Sequence, residues 1–369
     1  MTADLAPEGN ITSISEVPAA HLLGRELENG WRVVDRVPQQ HNQTGGVFSV
    51  CYHVADANGR RAFLKALNIR KAIETEGPLA DQMKAFFDAY VFERDLLARC
   101  RDSGIRRVIR LLDHGEVRVP EAGVLSRVPY LILELADGDL RSYQSQLQYL
   151  DVAWVLRVLK HATLAIEQLH NANTAHQDLK PSNVLTLDDG REMKLGDLGR
   201  AELRGIEGPT SRNAIPGARH YAPPEQLYGA FDGTWEARRA SDVYHLGSLA
   251  VQLFLDHSMT VLVQYALPSQ ARWGSWHGTY SAVLPYVRNA HASVLNEFEE
   301  VAGEGIPNDQ MVADLVRGVR EMTDPDPINR GRPTNVKRGV SRYNVRPYVS
   351  LFNRLAKAAE VGLMTAARK

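Results

Sequence analysis

The sequence predicts an α+β chain folded in two lobes, a small β-rich lobe followed by a larger helical one. Two observations carry this. Between Trp31 and Ala136 the chain is mostly short runs of β-branched and aromatic residues broken by turn residues. From Asp151 onward the hydrophobic period lengthens to that of helices. Strands first and helices second is the pattern of a segregated α+β architecture. The 369 residues are 44% hydrophobic and 24% charged, enough apolar material for a real core.

Taken in order, residues 1–29 are mixed in polarity and lack a strong period, which leaves disorder or a packed extension open. WRVVDRV, GVFSVCYHV and RAFLKAL then read as a three-stranded antiparallel meander. A helix is predicted from about Ala80 to Cys100, with Phe86, Tyr90, Phe92, Leu96 and Leu97 at helical spacing. RVIRLLDHGEV and VPYLILELA read as two more strands. VAWVLRVLKHATLAIEQLHNA is a strongly amphipathic helix with a polar exit, followed by strand-like NVLTL and EMKLGDL. Further helices are predicted at Val243–Leu255, Tyr280–Val301, Gln310–Met322 and Val349–Ala367. There is no internal repeat and no low-complexity segment.

Composition narrows the function classes. A formal net charge of -1 and no run of like charges argue against a nucleic-acid binder driven by bulk charge. Cys51 and Cys100 sit in no CxxC or Cys/His cluster, so neither a zinc site nor a disulfide framework is indicated. The N-terminal stretch lacks a basic run followed by an apolar core, and Leu246–Leu255 is too short to span a bilayer. The expectation is a cytoplasmic protein without a membrane partner.

The chemistry concentrates in HQDLKPSNVL, His176 to Leu185, followed about ten residues later by LGDLG, Leu195 to Gly199. Upstream, Lys65 ends the third strand and Glu93 lies past the middle of the first helix. Downstream come YAPPEQL, SDVYHLG and DPINRGRP. Singly, each has a bland explanation. A strand lysine is usually a surface residue, a helix glutamate a solvated face, and a Gly-Asp-Leu-Gly string a turn. Their order along the predicted elements is what is specific. In that order the chain resembles the eukaryotic-like serine/threonine protein kinases of stand-alone bacterial type, from about Trp31 to Val336.

The resemblance implies a two-lobed protein-kinase fold and transfer of the ATP γ-phosphate to protein Ser/Thr hydroxyls, with autophosphorylation as well. It implies ATP and Mg2+ as cofactors. By residue type, phosphoryl transfer needs charge neutralisation and in-line positioning more than covalent help. Lys65 matches the lysine on the α/β-phosphates, and Glu93 the carboxylate that orients it. Asn183 and Asp197 match the metal-binding oxygens. Asp178 matches the base that meets the substrate hydroxyl. Lys180 matches the γ-phosphate lysine of Ser/Thr kinases. The phosphate-covering loop is expected at Gln43–Tyr52, with Thr44, Gly45, Gly46, Phe48 and Cys51 lining the nucleotide. Leu133 matches the gatekeeper. Backbone groups of Glu134 and Ala136 are expected to bond the adenine at a hinge between the lobes, over Leu185. Asp242 matches the brace of the catalytic loop. Arg330, or alternatively Arg332, is expected to pair with Glu225.

Five positions depart from the family pattern. Thr44 and Ser49 replace flanking glycines of the loop, and Phe63 stands where a small alanine is usual. Gln177 replaces an arginine that in the family pairs with a phosphate, which suggests that phosphorylation of Thr210 or Ser211 is not the main switch. Ala218 lacks a threonine hydroxyl that in the family bridges the catalytic aspartate and lysine. The domain expectation is an N-terminal extension over 1–29, an N-lobe over 30–136, a C-lobe over 137–345 and a helical extension over 346–369. Two alternatives stay open. One is a small-molecule kinase of related fold, against which the YAPPE segment and Lys180 speak. The other is a nucleotide-binding pseudokinase scaffold, against which Lys65, Asp178, Asn183 and Asp197 speak. The resemblance also implies, as an expectation, a bacterial signalling, toxin or phage-defence setting. The expected partners are a protein substrate and ATP, with no nucleic acid.

Overall fold

A computed structural model describes residues 17–38, 49–74, 77–120, 126–146, 151–306 and 308–366. The chain divides into two units, one of residues 1–88 and 111–135, the other of 89–110 and 136–369.

The first unit is built on a five-stranded antiparallel sheet of β1 (Arg32–Arg36), β2 (Ser49–Ala55), β3 (Arg61–Leu67), β4 (Leu111–Arg118) and β5 (Arg127–Glu134). Its spatial order is β1-β2-β3-β5-β4. The meander read from the sequence is therefore present, and β5 rather than β4 continues it. A short helix, α1 (Ile69–Ile73), follows β3, and the long helix α2 (Leu79–Asp102) begins in this unit. Alternation along each strand sends one row inward: Val50, Tyr52 and Val54 on β2, Ala62, Leu64 and Ala66 on β3, and Val128, Tyr130 and Ile132 on β5. Residues 17–31 close this core. Ala19, Leu22, Leu27 and Trp31 pack into it, and Tyr52 Oη donates to the Ala19 carbonyl at 2.7 Å. Each such large side chain contributes about 1.5–3 kcal/mol by leaving water. From residue 17 onward the N-terminal segment thus takes the packed form.

The second unit holds the remainder of α2, then β6 (Gly138–Asp139), α3 (Leu140–Gln144), α4 (Val152–Asn171), β7 (Thr174–Ala175), β8 (Val184–Leu187), β9 (Glu192–Leu195) and β10 (Glu202–Leu203). These small strands form a β6-β8-β9 sheet and a β7-β10 ladder. The helices α5 (Pro224–Leu227), α6 (Trp235–Leu255), α7 (Met259–Ala266), α8 (Tyr280–Gly305), α9 (Asp309–Thr323), α10 (Pro333–Lys337) and α11 (Arg346–Ala366) complete it. Asp151 caps α4 by accepting from Trp154 N, and Thr234 and Ser258 cap α6 and α7 in the same way. Helix α6 starts eight residues before the predicted Val243, because its first turns are polar and carry no apolar period. Beyond them it is buried on all sides and forms the axis of the unit. Helix α11 lays Tyr348, Phe352 and Leu355 against α4 and α9, and Arg354 donates to Asp314 at 2.7 Å. Among the described residues no single helix is long and apolar enough to cross a membrane.

Candidate functional site

In the first unit, the alternation that buries Ala62, Leu64 and Ala66 sends Phe63 and Lys65 to the opposite face of the sheet. The ladder sets Cys51 opposite Lys65 on one side and Leu131 on the other. Phe63 lies between His53 and Leu133 in the same way. Cys51, Phe63, Lys65 and Leu133 therefore share one face. Glu134 ends β5 opposite Ala62, so its side chain belongs to the other row. Thr44, Gly45, Gly46 and Phe48 lie outside the described residues.

In the second unit the site is assembled around Asp242, whose carboxylate is fully buried in α6. It accepts from His176 N, Gln177 N and His170 Nε2, each at 2.8 Å, and from Gln177 Nε2 at 3.1 Å. Burial alone would raise its pKa. The hydrogen bond and field of His170, with the fields of His176 and His245, hold it below 3.8 instead. Those bonds fix the backbone of the loop that leaves β7, including Gln177 in the left-handed region at φ 64. For a residue with a Cβ that conformation costs about 1–2 kcal/mol, which the four bonds offset.

The next residue, Asp178, is buried and held at every polar atom. Its Oδ1 accepts from Ala218 N at 2.8 Å, and its Oδ2 from Lys180 Nζ at 2.7 Å and Asn183 Nδ2 at 3.3 Å. Its own N–H donates to His176 Nδ1 at 3.2 Å, and its carbonyl accepts from Asn183 Nδ2 at 2.8 Å. Because His176 Nδ1 accepts, the ring proton sits on Nε2 and points at the Gly196 carbonyl, 3.3 Å away. Gly196 N in turn donates to the Asn183 carbonyl at 2.9 Å. The loop and the strand end that carries Asp197 are thus tied together at both faces. Asp197 is itself left-handed, at φ 52. Its Oδ1 and the Glu93 Oε2 both lie within 4 Å of the point where a Cβ on Gly199 would stand. Leu185 is flanked by β6 and β9, and Ala136 opens the segment that enters β6.

Ala218 has no hydroxyl, yet the structure needs none to hold Asp178 and Lys180. The Ala218 N–H takes the carboxylate directly, and Lys180 reaches it without a bridge. Gly217 is a residue that motif reading misses. A Cβ there would stand 2.3 Å from the Gln177 carbonyl and 3.0 Å from Asp178 Oδ1, inside contact distance of both. The signal was present as the glycine before Ala218, but only proximity gives it meaning. The Glu225 partner is Arg330, with bonds of 2.7 and 2.8 Å, while Arg332 turns to Glu321 at 3.7 Å.

Asn183 spends its amide nitrogen on Asp178, and its amide oxygen accepts no hydrogen bond among the described residues. That oxygen and the Asp197 carboxylate are hard donors. Among the described residues no three His, Cys, Asp or Glu side chains group into a metal cage. Mg2+ is characteristically held by one or two protein oxygens together with substrate phosphates, so this donor set fits a nucleotide-borne Mg2+ and not a structural metal.

Comparison with known proteins agrees with this geometry. The family described as protein kinase domain matches residues 41–264, more than half of the chain. The serine/threonine-protein kinase PknL of Mycobacterium tuberculosis is 30% identical over 203 residues, covering 55% of this chain and 48% of that protein. PknA of the same species is 30% identical over 205 residues, covering 55% and 43%. Human serine/threonine-protein kinase Nek2 is 29% identical over 200 residues, covering 51% and 43%. The chain spans about half the length of the curated relatives it matches. With Asp178, Lys180, Asn183 and Asp197 gathered on one braced loop system and the family match running through all of them, the chain belongs to the protein kinase domain family.

Proposed function

We propose that this chain is a serine/threonine protein kinase that transfers the γ-phosphate of ATP to protein hydroxyls. The observation that carries the reading is the Asp178 carboxylate, buried and aimed by Ala218 N, Lys180 Nζ and Asn183 Nδ2. A carboxylate fixed in this way accepts the proton of an incoming hydroxyl without reorganising. Lys180 places positive charge beside it, where negative charge accumulates during transfer. Asp197 and Asn183 would hold Mg2+, which neutralises phosphate charge when bound. In the first unit, Lys65 on its rigid strand would offer a cation to a phosphate, with Leu133 on the same face. A cytoplasmic, bacterial setting belongs to the same proposal, supported by two cysteines outside any disulfide and by the mycobacterial relatives.

The test is transfer of radiolabel from γ-labelled ATP to a general protein acceptor and to the chain itself. Asp178→Asn is expected to lower the rate by about 10²–10⁴-fold with the fold intact. Equal labelling by the wild type and the variant would sink the reading.

A further inference from the structure

The geometry points to Glu202 and Arg238 as positioning residues for the catalytic loop, a fixed ion pair that holds Asp178 in place without a phosphate on the 200–216 segment. This rests on the kinase reading above and names how that site is kept in order.

Glu202 lies on β10, directly opposite Ala175 of β7, the residue that leads into His176. Its carboxylate is buried, and burial pushes its pKa up against the pull of Ser211 and Arg238. A carboxylate is kept in such a place only if it is partnered. Its Oε2 accepts from Ser211 Oγ at 2.6 Å, and its Oε1 lies 3.3 Å from Arg238 Nη1 as a charge contact without a hydrogen bond. Arg238 is equally buried. Its Nη2 donates to the Ser211 carbonyl at 2.8 Å, its Nε to the Gly233 carbonyl at 3.1 Å, and its guanidinium stacks over Phe231. The pair therefore ties three segments into one body: the strand entering the catalytic loop, the turn at Gly208–Ser211, and the start of α6.

The link to Asp178 is the backbone of the same arginine. Gln177 Nε2 donates to the Arg238 carbonyl at 2.8 Å and to Asp242 Oδ1 at 3.1 Å. Gln177 holds the left-handed backbone that turns Asp178 toward its partners. Its neutral amide reaches both acceptors without adding a charge to the loop.

The arrangement also fixes what Ser211 does. Its hydroxyl is a donor to an anion 2.6 Å away. A negative group on that oxygen would set two anions side by side in a buried place and break the clamp. Charge at 211 thus switches the enzyme off.

The experiment uses the full chain as wild type, phosphatase-treated wild type, Glu202→Gln, Glu202→Asp, Ser211→Asp and the Glu202→Gln/Arg238→Gln double variant. Steady-state transfer separates kcat from KM for ATP. Hydrogen exchange of the peptide 174–183 reads the clamp independently of catalysis. Phosphatase treatment is expected to leave activity in place. Glu202→Gln and Ser211→Asp should each lower kcat about 10- to 100-fold, as misplacement of a catalytic group does, with KM for ATP within about 2-fold. Both should speed exchange at 174–183. Glu202→Asp should recover most of the loss, and the double variant should be no worse than Glu202→Gln alone.

Loss of activity on phosphatase treatment, or a gain from Ser211→Asp, overturns the inference, as does unchanged exchange in Glu202→Gln. If Glu202→Gln fails to fold, the double variant and Ser211→Asp carry the same test. If folded wild type transfers no phosphate, the kinase reading fails. Exchange at 174–183 then still decides whether the clamp exists.

Discussion

Two buried arginine–carboxylate pairs brace the second unit, and they are built differently. Arg330 is fully buried and meets Glu225 through two parallel bonds of 2.7 and 2.8 Å. Its Nε donates to the Asp324 carbonyl at 2.9 Å, and its guanidinium lies 4.9 Å from the Tyr244 ring centre. Arg238 meets Glu202 through one ion-pair contact of 3.3 Å, and Glu202 divides its carboxylate between that arginine and Ser211. The first pair is a closed fork with its donors satisfied locally. The second is shared among segments, and its arginine's backbone reaches the catalytic loop through Gln177. A closed pair holds the fold, and a shared pair transmits position.

The largest expected effect lies on the closed pair. Arg330→Met leaves Glu225 buried and unpaired, and breaking such a pair costs about 3–5 kcal/mol. Lysine at 330 is not a conservative change, because it cannot reproduce the fork or the contact with the Tyr244 ring. Chemical denaturation of both variants measures this. The comparison collapses if Arg330→Lys keeps wild-type stability while kcat drops, since the fork would then be the transmitting pair.

A smaller stability effect with a sharper effect on turnover is expected at Gly217. An added methyl would stand 2.3 Å from the Gln177 carbonyl, a backbone atom that cannot swing aside. Gly217→Ala is expected to cost about 1–3 kcal/mol and to lower kcat about 100-fold by moving Asp178. Measured kcat near wild type at unchanged thermal midpoint would mean that the 216–218 segment does not set the position of Asp178, and Ala218 N would lose its role with it.

These two sites show what the sequence could and could not reveal. HQDLKPSN and LGDLG were legible because their residues sit within a few positions of one another, so residue type and spacing encode the local geometry. The strand alternation that puts Lys65 and Phe63 on one face was legible for the same reason. Arg330 could be named as a Glu225 partner only with Arg332 as an alternative, since two arginines separated by one glycine differ in nothing but orientation. Glu202 and Arg238 are 36 positions apart, and only the packing of β10 against the start of α6 brings them together. Gly217 was invisible because its meaning is a collision with a carbonyl 40 positions away. The first turns of α6 are polar and α7 is only eight residues long, so neither shows a helical period in the sequence, although Thr234 and Ser258 cap them.

The smallest expected effect separates the two pairs by pH. His245 is buried in α6, and desolvation pulls its pKa down to about 4, against the opposing fields of Asp242 and Asp178 and with those of His176 and Arg330. It therefore feels both the catalytic loop and the closed pair. His161 and His291 are pulled down to about 3, again mainly by burial. A histidine whose folded pKa lies below its unfolded value of 6.5 favours unfolding once the unfolded chain binds the proton and the folded one does not. Stability is then complete above about pH 6.5 and declines as pH falls toward 4, by about 1–2 kcal/mol near pH 5 for His245 alone. Asp242 adds to the loss only lower, as pH drops through its folded value beneath 3.8. Urea titrations at pH 7.5, 6 and 5 for wild type and His245→Asn measure the slope. The variant is expected to start less stable, because Asn leaves part of the site unfilled, and to lose less between pH 7.5 and 5. Parallel slopes would place the acid sensitivity at His161 and His291, away from the Asp242 brace of the catalytic loop.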